Sequence, residues 1–170
     1  MPAFPSSNHI RNVAIVGASG RIGSAFTDAL LATGKHTVTC LRHAGSKGTV
    51  PSVAKTATVD YSSHASLVAA LKGQDFLIIT LGVRAPQALH GQIVAAAAEA
   101  GIAYVMPNVY GSDIENERLV KDSPWLQGGV AKCKDVQEKG MKYICLVCGF
   151  WYEWVSRVLP EASTARSHDH

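Results

Sequence analysis

Aromatic residues make up only 7% of the 170-residue sequence and charged residues 17%, and no run of about 18 consecutive apolar residues occurs, which excludes a membrane-spanning helix. Charge of one sign is also lacking. Lys+Arg 16 against Asp+Glu 13 leaves a formal net charge of +3, and the basic residues are scattered, so no nucleic-acid partner is expected. Cysteine is limited to Cys40, Cys133, Cys145 and Cys148, all expected to be reduced. Cys145-Leu-Val-Cys148 matches C-x-x-C, but it sits inside the apolar run from Tyr143, where a buried strand would put the two thiols on opposite faces. No second Cys or His pair completes a zinc site, and the histidines, spread from His9 to His170 without ligand spacing, are expected at the surface. No metal is therefore expected. The first residues, Met-Pro-Ala-Phe-Pro-Ser-Ser-Asn-His, have no apolar leader core, and the expected location is cytoplasmic.

With 47% hydrophobic residues the chain has enough apolar mass for one domain with a real core. Apolar β-branched runs alternate with helical patterns and short glycine connections. Strands are expected at Val13–Val16, Thr37–Leu41, Ala57–Val59, Phe76–Thr80, Ala103–Met106 and Tyr143–Val147. Helices are expected at Ser24–Thr33, Ser62–Leu71, Pro86–Ala100 and Lys132–Lys139. This alternation implies an α/β fold, a Rossmann-type doubly wound and mostly parallel sheet over residues 10–155. Tyr110 to Gly129 is polar and broken by Gly, Pro and acids, and reads as a loop crossing the mouth of a site. Residues 156–170 show no periodicity and read as a disordered tail.

The chemistry concentrates at Gly17-Ala-Ser-Gly20-Arg-Ile-Gly23, which follows an apolar strand and opens a helix. Gly17 permits a sharp turn, Gly20 lets the backbone approach a pyrophosphate, and Gly23 lets the helix pack on the strand. Gly17, Ser19, Gly20, Arg21, Ile22 and Gly23 are thus the candidate phosphate cradle, with helix N–H groups and the positive dipole end facing the anion. About 20 residues further on, an acid would select NAD through its ribose and an arginine would accept the extra phosphate of NADP. No acid lies between Asp28 and Asp60, whereas Arg42-His43 ends the second strand and Lys47 follows, so NADP is expected over NAD. Ligands bind at the carboxyl ends of strands in such sheets, which places Asp60 and Tyr61, and Thr80, Leu81 and Gly82, on the adenine and ribose side. Arg84 is either a second phosphate clamp or a solvated charge.

Gly17–Gly23, Asp60-Tyr61, Thr80-Leu-Gly82, Pro107-Asn-Val-Tyr-Gly111 and Cys148-Gly-Phe-Trp-Tyr-Glu153 occur in an order that resembles fungal NmrA-like proteins, relatives of the isoflavone-reductase group. The resemblance implies an atypical short-chain dehydrogenase fold with an NADP-binding N-terminal part and a smaller C-terminal substrate part. No tyrosine has a lysine four positions later, so the Tyr-x-x-x-Lys relay of ordinary short-chain dehydrogenases is absent. Isoflavone-reductase-like enzymes use a lysine at the start of the helix after the fifth strand's loop. That likeness points to Lys132, with Lys134 as the alternate, as the residue positioning the nicotinamide ribose and polarising or protonating substrate.

The family pattern stops near Ser156, so the substrate subdomain is expected to be largely missing, and Trp151, Tyr152 and Trp154 either cap the core or form an exposed patch. Two functions follow. One is an NADP-dependent oxidoreductase acting on a small carbonyl or conjugated substrate. The other, implied by the NmrA-like resemblance, is a non-catalytic NADP(H)-sensing regulator with a protein partner; an inactive fragment is a third outcome.

Overall fold

The computed structural model describes residues 10–149 and residue 151. In chain order the elements are β1 (Asn12–Val16), α1 (Arg21–Ala32), β2 (Thr37–His43), β3 (Lys55–Val59), α2 (His64–Leu71), β4 (Phe76–Ile79), α3 (Leu89–Glu99), β5 (Tyr104–Met106), α4 (Glu117–Lys121), α5 (Pro124–Glu138) and β6 (Lys142–Tyr143). The strands form one six-stranded sheet in the order β3-β2-β1-β4-β5-β6, every neighbouring pair parallel. This is the Rossmann order, and its reversal point lies between β1 and β4, where α/β proteins place their ligands.

Parallel central strands must be apolar on both faces, and β1 and β4 meet that demand. Val13 and Ile15 point to one face with Val38, Cys40, Phe76 and Ile78, where Phe26, Leu30 and Leu31 of α1 cover them. Ala14 and Val16 point to the other face with Leu77 and Ile79, under Leu67 and Leu71 of α2, Ile93 and Ala97 of α3, and Val136 of α5. The period of two in the strands thus divides the core into two layers.

Two expectations are corrected. Tyr110 to Gly129 is not a loop throughout, because it contains α4 and the first turns of α5. Asn116 and Ser123 cap these helices by accepting the backbone N–H groups of Leu119 and Leu126, and Pro124 occupies the first turn of α5. Of Gly128-Gly129, which reads as a break, the second residue is instead a packing device. Gly129 is buried, and a Cβ there would stand 3.2 Å from Ile114 Cγ2.

The second correction concerns Tyr143–Val147, where only Lys142–Tyr143 pairs as strand. Ile144 N–H still donates to the Val105 carbonyl at 3.0 Å, but β5 ends at Met106, before Pro107, and the ladder has no further partner. Ile144, Leu146 and Val147 are consequently exposed, and Cys145 and Cys148 do not lie in a buried strand. Trp151 is partly exposed, and its indole N–H donates to the Tyr110 carbonyl at 2.9 Å. The expected tail at 156–170, together with Tyr152 and Trp154, lies outside the described residues.

Candidate functional site

A cavity of about 210 Å³ opens at the carboxyl ends of β1, β2 and β4. Of the residues singled out in the sequence, Gly17, Ser19, Arg42, Tyr61, Thr80, Leu81 and Gly82 line it. Gly20, Arg21, Ile22 and Gly23 complete the turn and the first turn of α1, while Asp60 is not among the lining groups.

The turn is built by close backbone approach. Gly17 has φ +78°, and a Cβ on it would land on the carbonyl oxygen of Thr80. The Gly20 N–H donates to the Gly17 carbonyl at 2.9 Å, and the Thr80 N–H and hydroxyl both donate to the Val16 carbonyl, at 2.9 and 2.7 Å. The ends of β1 and β4 and the start of α1 are therefore one joint.

Like α3, α1 begins with no side-chain cap and no acid in its first turn among the described residues, whereas α2 is capped by Ser63, α4 by Asn116 and α5 by Ser123. Its first N–H groups remain available to an anion, with the dipole adding to the attraction.

Arg42 closes the cavity's side. Its Nη2 donates to the carbonyls of Ser46, at 3.0 Å, and Gly48, which fixes the loop after β2. Gly48 lies so close to Ser19 that a Cβ at 48 would overlap the Ser19 side chain, so this loop rests on the glycine turn. Arg42 Nε is buried without a hydrogen-bond partner among the described residues. An arginine and the glycine turn that leads into α1 line the same cavity, a pairing that fits the phosphates of a dinucleotide.

Tyr61 donates its hydroxyl to the Leu41 carbonyl at 3.4 Å, and burial pushes that hydroxyl up to about 12, so it stays neutral. Asp60 is turned to its own chain: the Ser62 hydroxyl and N–H donate to it at 2.6 and 2.9 Å and hold its carboxyl below the usual value. Arg84 is exposed.

Lys132 lies in the middle of α5, not at the start of its helix, because the cap at Ser123 begins that helix well before it. Half-buried, it donates from Nζ to the Asn108 carbonyl at 3.4 Å, and Asn108 Nδ2 donates to the Leu81 carbonyl at 3.0 Å. Lys132 is thereby joined through Asn108 to the cavity wall, and burial lowers its pKa. Lys134 is exposed and pairs with Glu138 at 3.6 Å.

Sequence reasoning missed two members of this network. His90 is buried rather than at the surface, and its Nε2 accepts the Asn108 N–H at 3.4 Å. Burial first, then the charge of Lys132, pushes His90 down to about 4 against an opposing pull from Asp135, which keeps the ring neutral. The signal was present, because His90 shares a helical stripe with Ile93, Val94 and Ala97. Asn108 was visible as part of the Pro107–Gly111 segment, without a role. Cys133 and Cys145 sit 3.3 Å apart between sulfurs, a pairing their spacing did not suggest.

Residues 17–152 match the NAD(P)H-binding family. The chain belongs to this family. A curated relative, Oxidoreductase aprR of Aspergillus flavus, is 32% identical over 146 residues, covering 83% of this chain and 49% of the relative. The chain thus spans about half the length of that relative. Among solved structures, AtPrR2 with NADP+ and (+)pinoresinol superposes with a TM-score of 0.75 at 20% identity, covering 93% of this chain and 56% of the other. Isoflavone reductase gives a TM-score of 0.71 at 20% identity, covering 86% and 52%. An NADPH-dependent quinone oxidoreductase from Escherichia coli, complexed with NADPH, gives 0.63 at 21% identity, covering 83% and 50%. These likenesses establish the fold and agree with the isoflavone-reductase resemblance carried by the motifs.

Proposed function

We propose that the chain binds NADP(H) in preference to NAD(H) and forms the cofactor-binding part of an oxidoreductase acting on a small carbonyl or conjugated substrate. The observation that carries the cofactor preference is Arg42, whose guanidinium-bearing side chain lines the cavity while no carboxylate does among the described residues. Gly17, Ser19, Gly20, Arg21, Ile22 and Gly23 would hold the pyrophosphate through backbone N–H groups and the α1 dipole, and Arg42 the extra phosphate. Tyr61, Thr80, Leu81 and Gly82, which line the cavity, would face the adenosine side, with Tyr61 a neutral donor, whereas Asp60, turned to Ser62, would not.

When bound, the cofactor supplies hydride exchange at C4 of its nicotinamide. The protein's part falls to Lys132, which Asn108 aims and burial makes a readier proton donor. A small carbonyl oxygen within reach of Nζ would receive that proton. The free thiols fit a reducing, cytoplasmic setting.

The test is a pair of titrations, NADPH and NADH, followed by intrinsic fluorescence and thermal shift, then a scan of carbonyl and quinone substrates. At least about tenfold tighter binding of NADPH is expected, the value of one charge-assisted contact. Equal responses to both cofactors would overturn the preference, and binding without turnover across the scan would overturn the oxidoreductase reading.

A further inference from the structure

Cys133 and Cys145 lie outside the cavity and take no part in the function just proposed. Cys133 is buried on α5, and Cys145, half-exposed, follows β6. Their sulfurs stand 3.3 Å apart, against about 2.0 Å for a bonded pair, so a little over an ångström of side-chain movement separates contact from bond. No carboxylate or imidazole joins them to make a metal cluster among the described residues. The remaining cysteines are placed differently: Cys40 is buried in β2, and Cys148 is exposed with its thiol toward the Leu146 carbonyl at 3.8 Å.

We propose that Cys133 and Cys145 are a redox modification site, forming a reversible disulfide by exchange with a low-molecular-weight disulfide of the glutathione class. Access and polarisation assign the order of events. Cys145 is the more exposed of the two, and its hydrogen bond with Cys133 lowers its pKa, whereas the same bond and burial push the Cys133 thiol up. The Cys145 thiolate attacks one sulfur of oxidised glutathione, the S–S bond breaks, and the leaving thiolate takes the electron pair and a proton from solvent. Cys133 then loses its proton to solvent and attacks Cys145 Sγ, expelling the second glutathione as thiolate. The protein dithiol is oxidised by two electrons and one disulfide is reduced to two thiols. The new bond ties α5, one residue from Lys132, to the segment leaving the sheet edge.

The full chain is equilibrated with oxidised and reduced glutathione at graded ratios, quenched with an alkylating agent, weighed and peptide-mapped. The expected product has lost two hydrogens and two alkylation sites, carries a Cys133–Cys145 linked peptide, and returns to four alkylated thiols under dithiothreitol. Cys148→Ser leaves the link intact, Cys145→Ser abolishes it, and Cys133→Ser stops at the glutathione adduct on Cys145. A Cys145–Cys148 link, an adduct on the unsubstituted chain that never closes, or four free thiols at every ratio would each overturn the proposal. The decisive measurement uses the unsubstituted protein, so a misfolded Cys133→Ser does not rescue it.

Discussion

Gly23 packs so closely on the carbonyl of Gly17 that a Cβ at position 23 would overlap that oxygen and stand 2.7 Å from Thr80 Oγ1. The obstacle is backbone, which cannot rotate aside. Gly23→Ala should therefore cost about 1–3 kcal/mol, the range for overpacking a close contact, read as a lower urea midpoint with an unchanged slope. The same substitution lifts α1 from the glycine turn and should abolish the NADPH response.

Arg42→Gln removes the charge facing the cavity. NADPH affinity should fall at least about tenfold, with NADH affinity unaltered. Arg42 also holds the loop at Ser46 and Gly48, and a purely structural role would depress both cofactors equally. Comparing the two dissociation constants separates these outcomes.

His90 makes stability depend on pH. Its ordinary value is 6.5 and the folded protein holds it at about 4, so between those values the unfolded chain binds more protons. Stability is fully present above pH 6.5 and is lost as pH falls toward 4, by about 3 kcal/mol if the whole shift is expressed. Urea midpoints taken across this window should decline with acid, and His90→Gln should flatten the decline.

Lys132→Met keeps most of the side chain's apolar bulk while deleting the ammonium. Turnover should drop by about 10²–10⁴-fold with NADPH binding nearly intact, whereas Lys134→Met, altering an exposed residue paired with Glu138, should leave turnover unchanged. Single-turnover hydride transfer followed by nicotinamide absorbance makes the comparison.

Where local chemistry decided the structure, the sequence was readable. Val13–Val16 and Phe76–Ile79 are apolar on both faces, and at Gly17 and Gly23 a Cβ would overlap a backbone carbonyl oxygen. What was hidden depended on tertiary partners. Gly128-Gly129 looked like a breaker because the burial of Gly129 against Ile114 is invisible along the chain. Tyr143–Val147 looked like a strand because its propensity says nothing about a neighbour ending at Pro107. In the candidate site, the glycine turn and Arg42 were legible, while the path from Lys132 through Asn108 to Leu81 rests on main-chain carbonyls, which no residue type reports.

α1 is the helix that, among the described residues, covers the sheet layer of Val13, Ile15, Val38 and Ile78, and its first turn is also the proposed anchor for phosphate. Fraying of that helix and release of ligand then become a single opening event. Amide hydrogen exchange along Phe26–Leu31 should slow in proportion to cofactor occupancy, far from any atom the ligand touches, and make the back of the sheet a reporter for its front.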